Sequence, residues 1–277
     1  MRRYCSLALI ALFVVAIAGC SGSGQVRHTT AEEAFKKGQQ LYQEGDYDDA
    51  IRYFRAVFSY GRATEWSDDA QLLMARAYYE DKQYRLAATE YRRFIQLYRN
   101  DERVPTAEFE RAMSYYQLSP RYQLDQSDTE QALSLFQLFL DRYPQHERAP
   151  EAEEHIKELR EKLAHKKIAA AELYERRGMY RAAALTYETA FDQYPETSWA
   201  DNALLGAVRT FIEYSNRSVE QRQAERLQQA LDHYNRLTQL FPNSPLLDQA
   251  EALYEQAQRR MEEIRERESL ADSANNG

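Results

Sequence analysis

The sequence predicts an all-helical protein, an α-solenoid of about five helix-turn-helix repeats closed by a C-terminal helix. Three observations lead there. The chain holds only nine Gly and seven Pro in 277 residues, too few for a turn-rich sheet protein, while 44% apolar residues suffice for a substantial core. Its 21 Tyr and 11 Phe recur at helical rather than alternating spacing. One stretch, Ala31 to Ser59, returns further along the chain with its small and large positions in the same places.

Two helices approach closely only where their side chains are small. In Ala31–Ser59, Gly38 on a first helix and Ala50 on a second supply that contact. Leu41, Tyr47, Phe54 and Val57 fill the space around it, and Gly45 tolerates the backbone angles that end a helix and reverse the chain. The unit resembles the tetratricopeptide repeat, a helix-turn-helix of about 34 residues. One unit cannot bury its own apolar face, so stacked copies are expected.

Taken in order, the chain begins with Arg2 and Arg3, then twelve apolar residues from Leu7 to Ala18. That run is too short to span a bilayer of about 30 Å as a helix and suits the core of an export signal. It ends Ile17-Ala18-Gly19-Cys20, which resembles a bacterial lipobox, with Ile where Leu is usual. The reading is a signal peptide over 1–19, with lipid carried on Cys20 and Cys5 in the removed part; Ser21 in place of Asp favours the outer membrane. Residues 20–30 are small and polar and read as a flexible tether. The repeat solenoid follows over 31–268.

The second copy runs from Asp68 to Arg99, with Ala75, Tyr78, Tyr84, Ala87, Tyr91 and Phe94 at an offset of 37 residues, Gly38 to Ala75. A third begins near Pro105, with Ala112, Tyr115, Ala132, Phe136 and Phe139, closed by Asp141-Arg142-Tyr143-Pro144. Its turn is lengthened by SPRYQLDQSDT, with Ser127 or Asp128 placed to cap the next helix. Pro150 to Arg177 lacks any further Gly or Pro and predicts one long helix that opens the fourth copy, Ala171 to Pro195, and packs on the third. The fifth has Gly206, Phe211, Ala230, Tyr234 and Leu237, with a lengthened turn around Asn216 to Glu220. From Leu246, Ala250, Leu253, Tyr254, Ala257 and Met261 mark the apolar stripe of a capping helix, and 269–277 is expected to be a disordered tail.

Composition and motifs exclude more than they include. A net charge of −8 with acids and bases intermixed disfavours nucleic acid. Both cysteines lie in the first 20 residues, leaving no disulfide framework, and the five histidines lack ligand spacing and read as surface residues. There is no G-x-S-x-G, no phosphate-cradling loop and no H-E-x-x-H, so neither an enzyme nor a cofactor is expected. What the repeats offer is a groove. At equivalent first-helix positions stand Phe35, Gln39 and Tyr42, then Leu72, Arg76 and Tyr79, then Phe109, Met113 and Tyr116. Aromatic groups with amide and guanidinium neighbours suit an extended peptide or a partner helix, whose backbone and apolar side chains both need satisfying. The same aromatics could instead fill the gap between repeats.

A lipobox, a tether, about five repeats and a terminal helix together resemble the BamD family of β-barrel assembly lipoproteins. Ala77-Tyr78-Tyr79, Arg93-Phe94-Ile95-Gln96-Leu97, Asp125-Gln126-Ser127-Asp128-Thr129 before Asp141-Arg142-Tyr143-Pro144, and Ala171-Glu172-Leu173-Tyr174 with Gly178 carry the likeness. Tyr60-Gly61-Arg62-Ala63 departs from the Tyr-Pro-Phe-Gly-Pro-like turn common there, and Leu97-Tyr98-Arg99-Asn100 lacks the usual proline. The resemblance implies a lipid-anchored periplasmic scaffold at the outer membrane. It implies unfolded outer-membrane protein segments as partners of the N-terminal repeats and a barrel-forming subunit as partner of the C-terminal ones, where Tyr187 is the expected docking residue. The alternative is a general repeat lipoprotein acting as an adaptor in cell-wall or cell-division complexes.

Overall fold

The computed structural model describes residues 28–275, which form eleven α-helices and one short 3-10 turn. They are α1 (Ala31–Glu44), α2 (Tyr47–Val57), α3 (Ser67–Glu80), α4 (Tyr84–Leu97), α5 (Val104–Leu118), α6 (Ser127–Arg142), α7 (Ala149–Arg176), α8 (Tyr180–Gln193), α9 (Ala200–Asn216), α10 (Glu220–Leu240) and α11 (Leu247–Asn275). The signal peptide, Cys20 and most of the tether lie outside the described residues. Two compact units divide the chain, one ending at Ala107 and one beginning at Glu108.

In the first unit α1 packs on α2, α2 on α3 and α3 on α4. Thr30 caps α1 by accepting from the Glu33 amide, and Glu33 reaches back to the Thr29 amide at 2.8 Å, so two orphan donors are satisfied reciprocally. Gly45 ends the helix at φ 81°, and the Asp46 amide donates to the Leu41 carbonyl at 2.9 Å. Phe54, Met74, Tyr91 and Phe94 are fully buried, with Ala50, Ala75 and Ala87 at the close helix contacts.

The second unit continues the sequential pairing from α6 to α11. Helix α7, 28 residues long, packs on both α6 and α8, as the unbroken run from Pro150 predicts. The core around α8, α9 and α10 is centred on Tyr187, Leu204, Phe211, Leu227 and Leu237, and α11 covers it with Ala250, Ala257, Met261 and Ile264.

Four expectations need correction. Neither Ser127 nor Asp128 caps α6: the cap position is Gln126, whose buried amide donates to the Arg121 and Leu124 carbonyls, while Asp125 accepts from the Ser127 amide at 2.9 Å. The insertion is tied down from α7, where Lys166 donates to the Leu124 carbonyl at 2.6 Å and Lys162 to the Ser119 hydroxyl at 2.7 Å. In the fifth repeat the added residues lengthen the helices, 17 residues in α9 and 21 in α10, and leave a tight turn at Arg217–Val219. Helix α11 runs on to Asn275, past Ser269 where fraying is expected.

The histidines are the fourth. His165 is stacked between Tyr122 and Trp199, at 3.7 and 4.2 Å between ring centroids, and His233 is buried face to face with Phe211 at 5.3 Å. A ring of apolar shape pays little to be buried while neutral, and much when charged.

Gly206 shows how tightly α8 and α9 meet. A β-carbon there would stand 2.5 Å from the Tyr187 ring. Gly206→Ala therefore forces the ring or the helix aside, and thermal melting should show a loss of about 1–3 kcal/mol. Unchanged melting would mean that α8 and α9 have room to part.

His233 sets a pH dependence. Burial first, and then the Arg236 charge, depress its pKa from 6.5 to about 4, against the opposing carboxylates of Asp192 and Asp232; Glu188 also faces it at 3.6 Å. With the folded value below the unfolded one, the unfolded chain binds the proton first, so stability is full above about pH 6.5 and lost as pH falls toward 4. The loss is on the order of 3 kcal/mol. Chemical denaturation at stepped pH should show it, and His233→Phe should flatten that part of the curve.

Candidate functional site

The first unit holds a cavity of about 400 Å³ lined by Phe35, Gln39, Trp66, Asp69, Leu72, Leu73, Arg76 and Arg103. Its floor follows from the helix pairing. Phe35 on α1 is a core residue that lies against Phe54 and stacks on Trp66 at 5.1 Å, and Leu72 on α3 is equally buried. The rim is polar: Gln39 is exposed and Arg76 half-buried, one on each first helix.

Charge in the cavity is organised by Arg103, at the entrance to α5. Its guanidinium donates to Asp101 at 2.6 and 2.8 Å, to Asp68 at 2.8 Å and to Asp69. It also lies 5.5 Å from the centre of the Phe94 ring. Hydrogen bonding to Asp101 raises the guanidinium's pKa, and the same bond holds the Asp101 carboxyl below its usual range. The cluster joins the two ends of a repeat-length stretch and leaves Asp69 and Arg103 facing the cavity.

Four of the nine positions predicted for the groove, Phe35, Gln39, Leu72 and Arg76, thus come together around one cavity. Tyr42 and Tyr79 do not line it; each ring turns edge-on to the tyrosine that opens the next helix, Tyr47 at 5.6 Å and Tyr84 at 5.2 Å. The three in the second unit serve its packing. Phe109 is fully buried between Phe136 and Phe139, with the Arg148 guanidinium 3.7 Å from its centre, so it presents no surface to a ligand. Met113 packs beside it, and Tyr116 is half-buried and donates to Glu158 at 2.5 Å, which pushes its hydroxyl up to about 12.

Tyr187, the expected docking residue, lies in the core. It is 2% exposed, and its hydroxyl donates to Glu175 at 3.1 Å, where Arg209 already binds with two hydrogen bonds of 2.6 and 2.9 Å. A groove of about 620 Å³ in the second unit runs along Met179, Tyr180, Leu185, Tyr214 and Arg217. Met179 and Leu185 are exposed, and Arg217 stacks 4.5 Å over Tyr180. Sequence reasoning missed it. The available signal was a methionine just before α8 and a leucine on it, at positions that repeat packing does not use.

Residues 27–220 match the YfiO family, described as an outer membrane lipoprotein. The chain belongs to the YfiO family of outer membrane lipoproteins. Its curated relatives include outer membrane protein assembly factor BamD of Caulobacter vibrioides, 28% identical over 206 residues, covering 73% of this chain and 68% of that one. BamD of Pasteurella multocida is 28% identical over 214 residues, 74% of this chain and 82% of its own. BamD of Xylella fastidiosa is 26% identical over 247 residues, 82% of each. Among solved structures, a TPR repeats protein of Bacteroides fragilis aligns at 13% identity with a TM-score of 0.46, over 84% of this chain and 100% of that one. The family is a non-catalytic one of assembly factors, and it places the chain at the outer membrane.

Arg103 gives the site its test. Replacing it with Gln leaves three carboxylates facing one another, and because all four groups are partly exposed the cost is about 1 kcal/mol. Melting of Arg103→Gln should fall by a few degrees at low salt and recover at high salt, where screening weakens the repulsion. A loss independent of salt would mean that Arg103 acts through its packing on Phe94 alone.

Proposed function

We propose that this chain is a lipid-anchored scaffold subunit of a barrel-assembly machinery, carrying its lipid on Cys20. Extended segments of unfolded outer-membrane proteins bind in the cavity of the first unit, and the periplasmic domains of a barrel-forming subunit dock on the second. The observation that supports this reading is the cavity itself. Its aromatic and leucine floor takes apolar side chains, while the Gln39 amide and the Arg76 guanidinium at the rim can satisfy backbone carbonyls that an extended strand leaves unpaired. The names of the relatives supply the class of client.

Photocrosslinking tests it. A photoreactive residue in place of Gln39 should capture unfolded barrel segments, and Arg76→Glu should weaken that capture roughly tenfold, equivalent to about 1.4 kcal/mol. Depletion of the protein should lower the level of outer-membrane barrels. Normal barrel levels after depletion would overturn the assembly role, and recovery of cell-wall partners alone would favour the adaptor reading.

A further inference from the structure

The tether does not leave the first unit at the start of α1. His28 Nδ1 lies 2.5 Å from the Tyr60 hydroxyl, with the two rings edge to face at 5.2 Å between centroids. Thr29 is held as well, its amide donating to Glu33. The chain is thereby strapped across to the end of α2, where the 3-10 turn Phe58–Tyr60 is followed by Gly61 at φ 119°. Ser59, Tyr60, Gly61, Arg62 and Ala63 are all exposed there, and the Arg62 charge also acts on the Tyr98 hydroxyl. Two acids belong to this corner, Glu33 bound to Thr29 at the strap and Glu65 three residues after Arg62.

Length then limits where this corner can be. From Cys20 to His28 the chain advances eight residues, a reach of at most about 29 Å however it is folded. If the strap were absent, the free length would extend to Ala31 and the reach to about 40 Å, from a different point on the unit. An exposed tyrosine with an exposed arginine two residues on has the chemistry of a residue pair that settles at a membrane interface, the ring at headgroup level and the guanidinium on phosphate.

We propose that the Tyr60–Arg62 corner is a membrane contact, latched toward the phospholipid headgroups by His28. The proposal rests on the lipid anchor at Cys20. Its consequence is a fixed presentation of the first unit: Trp66, a wall of the cavity, lies six residues beyond Tyr60 in the same connection between α2 and α3.

The experiment uses the mature lipidated chain in vesicles of phosphatidylethanolamine and phosphatidylglycerol, with a dye on Ala63→Cys as donor and a headgroup-labelled lipid as acceptor. Cys20 is blocked by its lipid, so the dye has one attachment point. Flotation first reports the anchor: a chain that fails to float overturns both the anchor and this proposal. In floated samples, transfer should be high and should fall about twofold in His28→Ala, where the leash lengthens, and in Arg62→Glu, where the latch stays but phosphate is repelled. A Ser59→Ala control should leave it unchanged. Floated His28→Ala or Arg62→Glu chains with undiminished transfer would overturn the membrane contact while leaving the anchor intact.

Discussion

The structure depends on contacts in which a small residue on one helix admits an aromatic ring from the next. Gly206 lies under the Tyr187 ring, and at Gly38 a β-carbon would stand 2.9 Å from the Phe54 ring. In each case the glycine gives up helix propensity, about 1 kcal/mol against alanine, to let a large ring be buried completely. Repeats without glycine use alanine for the same end: Ala75 and Ala87 are wholly buried beside Tyr91 and Phe94. Because burial of these rings needs both partners, a repeat is cooperative, and a long side chain at Ala50 or Ala87 would separate the pair it belongs to.

This constraint is what makes the fold legible in the sequence. A small residue every turn or two, facing rings at a constant offset, is a signal in residue type alone, and the 37-residue offset between the first two copies places α1 to α4 without ambiguity. The signal weakens where length is absorbed inside helices. At Asn216–Glu220, polar residues read as a loop, yet α9 and α10 extend into the stretch because its only obligatory break is the turn at Arg217–Val219.

The site was legible in part, for a related reason. Phe35 and Leu72 share a cavity because the repeat offset puts them on equivalent faces, and Gln39 and Arg76 follow one turn later. Aromatic residues give no such guidance by themselves. Phe109 and Tyr187 have the same side-chain chemistry as a binding residue and are core, Phe109 beneath the Arg148 guanidinium and Tyr187 over Gly206. What distinguishes them is the partner on the facing helix, which a single sequence names only once the pairing is known. The second unit's groove was hidden for the converse reason: Tyr180 opens α8 as Tyr47 opens α2 and Tyr84 opens α4, so residue type alone assigns it to packing, and only the exposure of Met179 and Leu185 beside it reveals a surface.

Apolar contacts alone leave the angle between neighbouring repeats poorly defined, since burial is non-directional. The polar pairs supply direction, and they recur with the period of the repeat. Arg103 with Asp69 and Arg209 with Glu175 are each separated by 34 residues, and Arg160 with Glu196 by 36. Each joins successive repeats within its own half of the chain. In the second unit such a pair is purely structural, because Glu175 spends its remaining capacity on Tyr187. In the first unit the same device opens onto the cavity, where Asp69 and Arg103 form part of the wall. The charge that sets the register of the first repeats is therefore also the charge that a bound segment would meet, so stability and recognition there cannot be tuned separately.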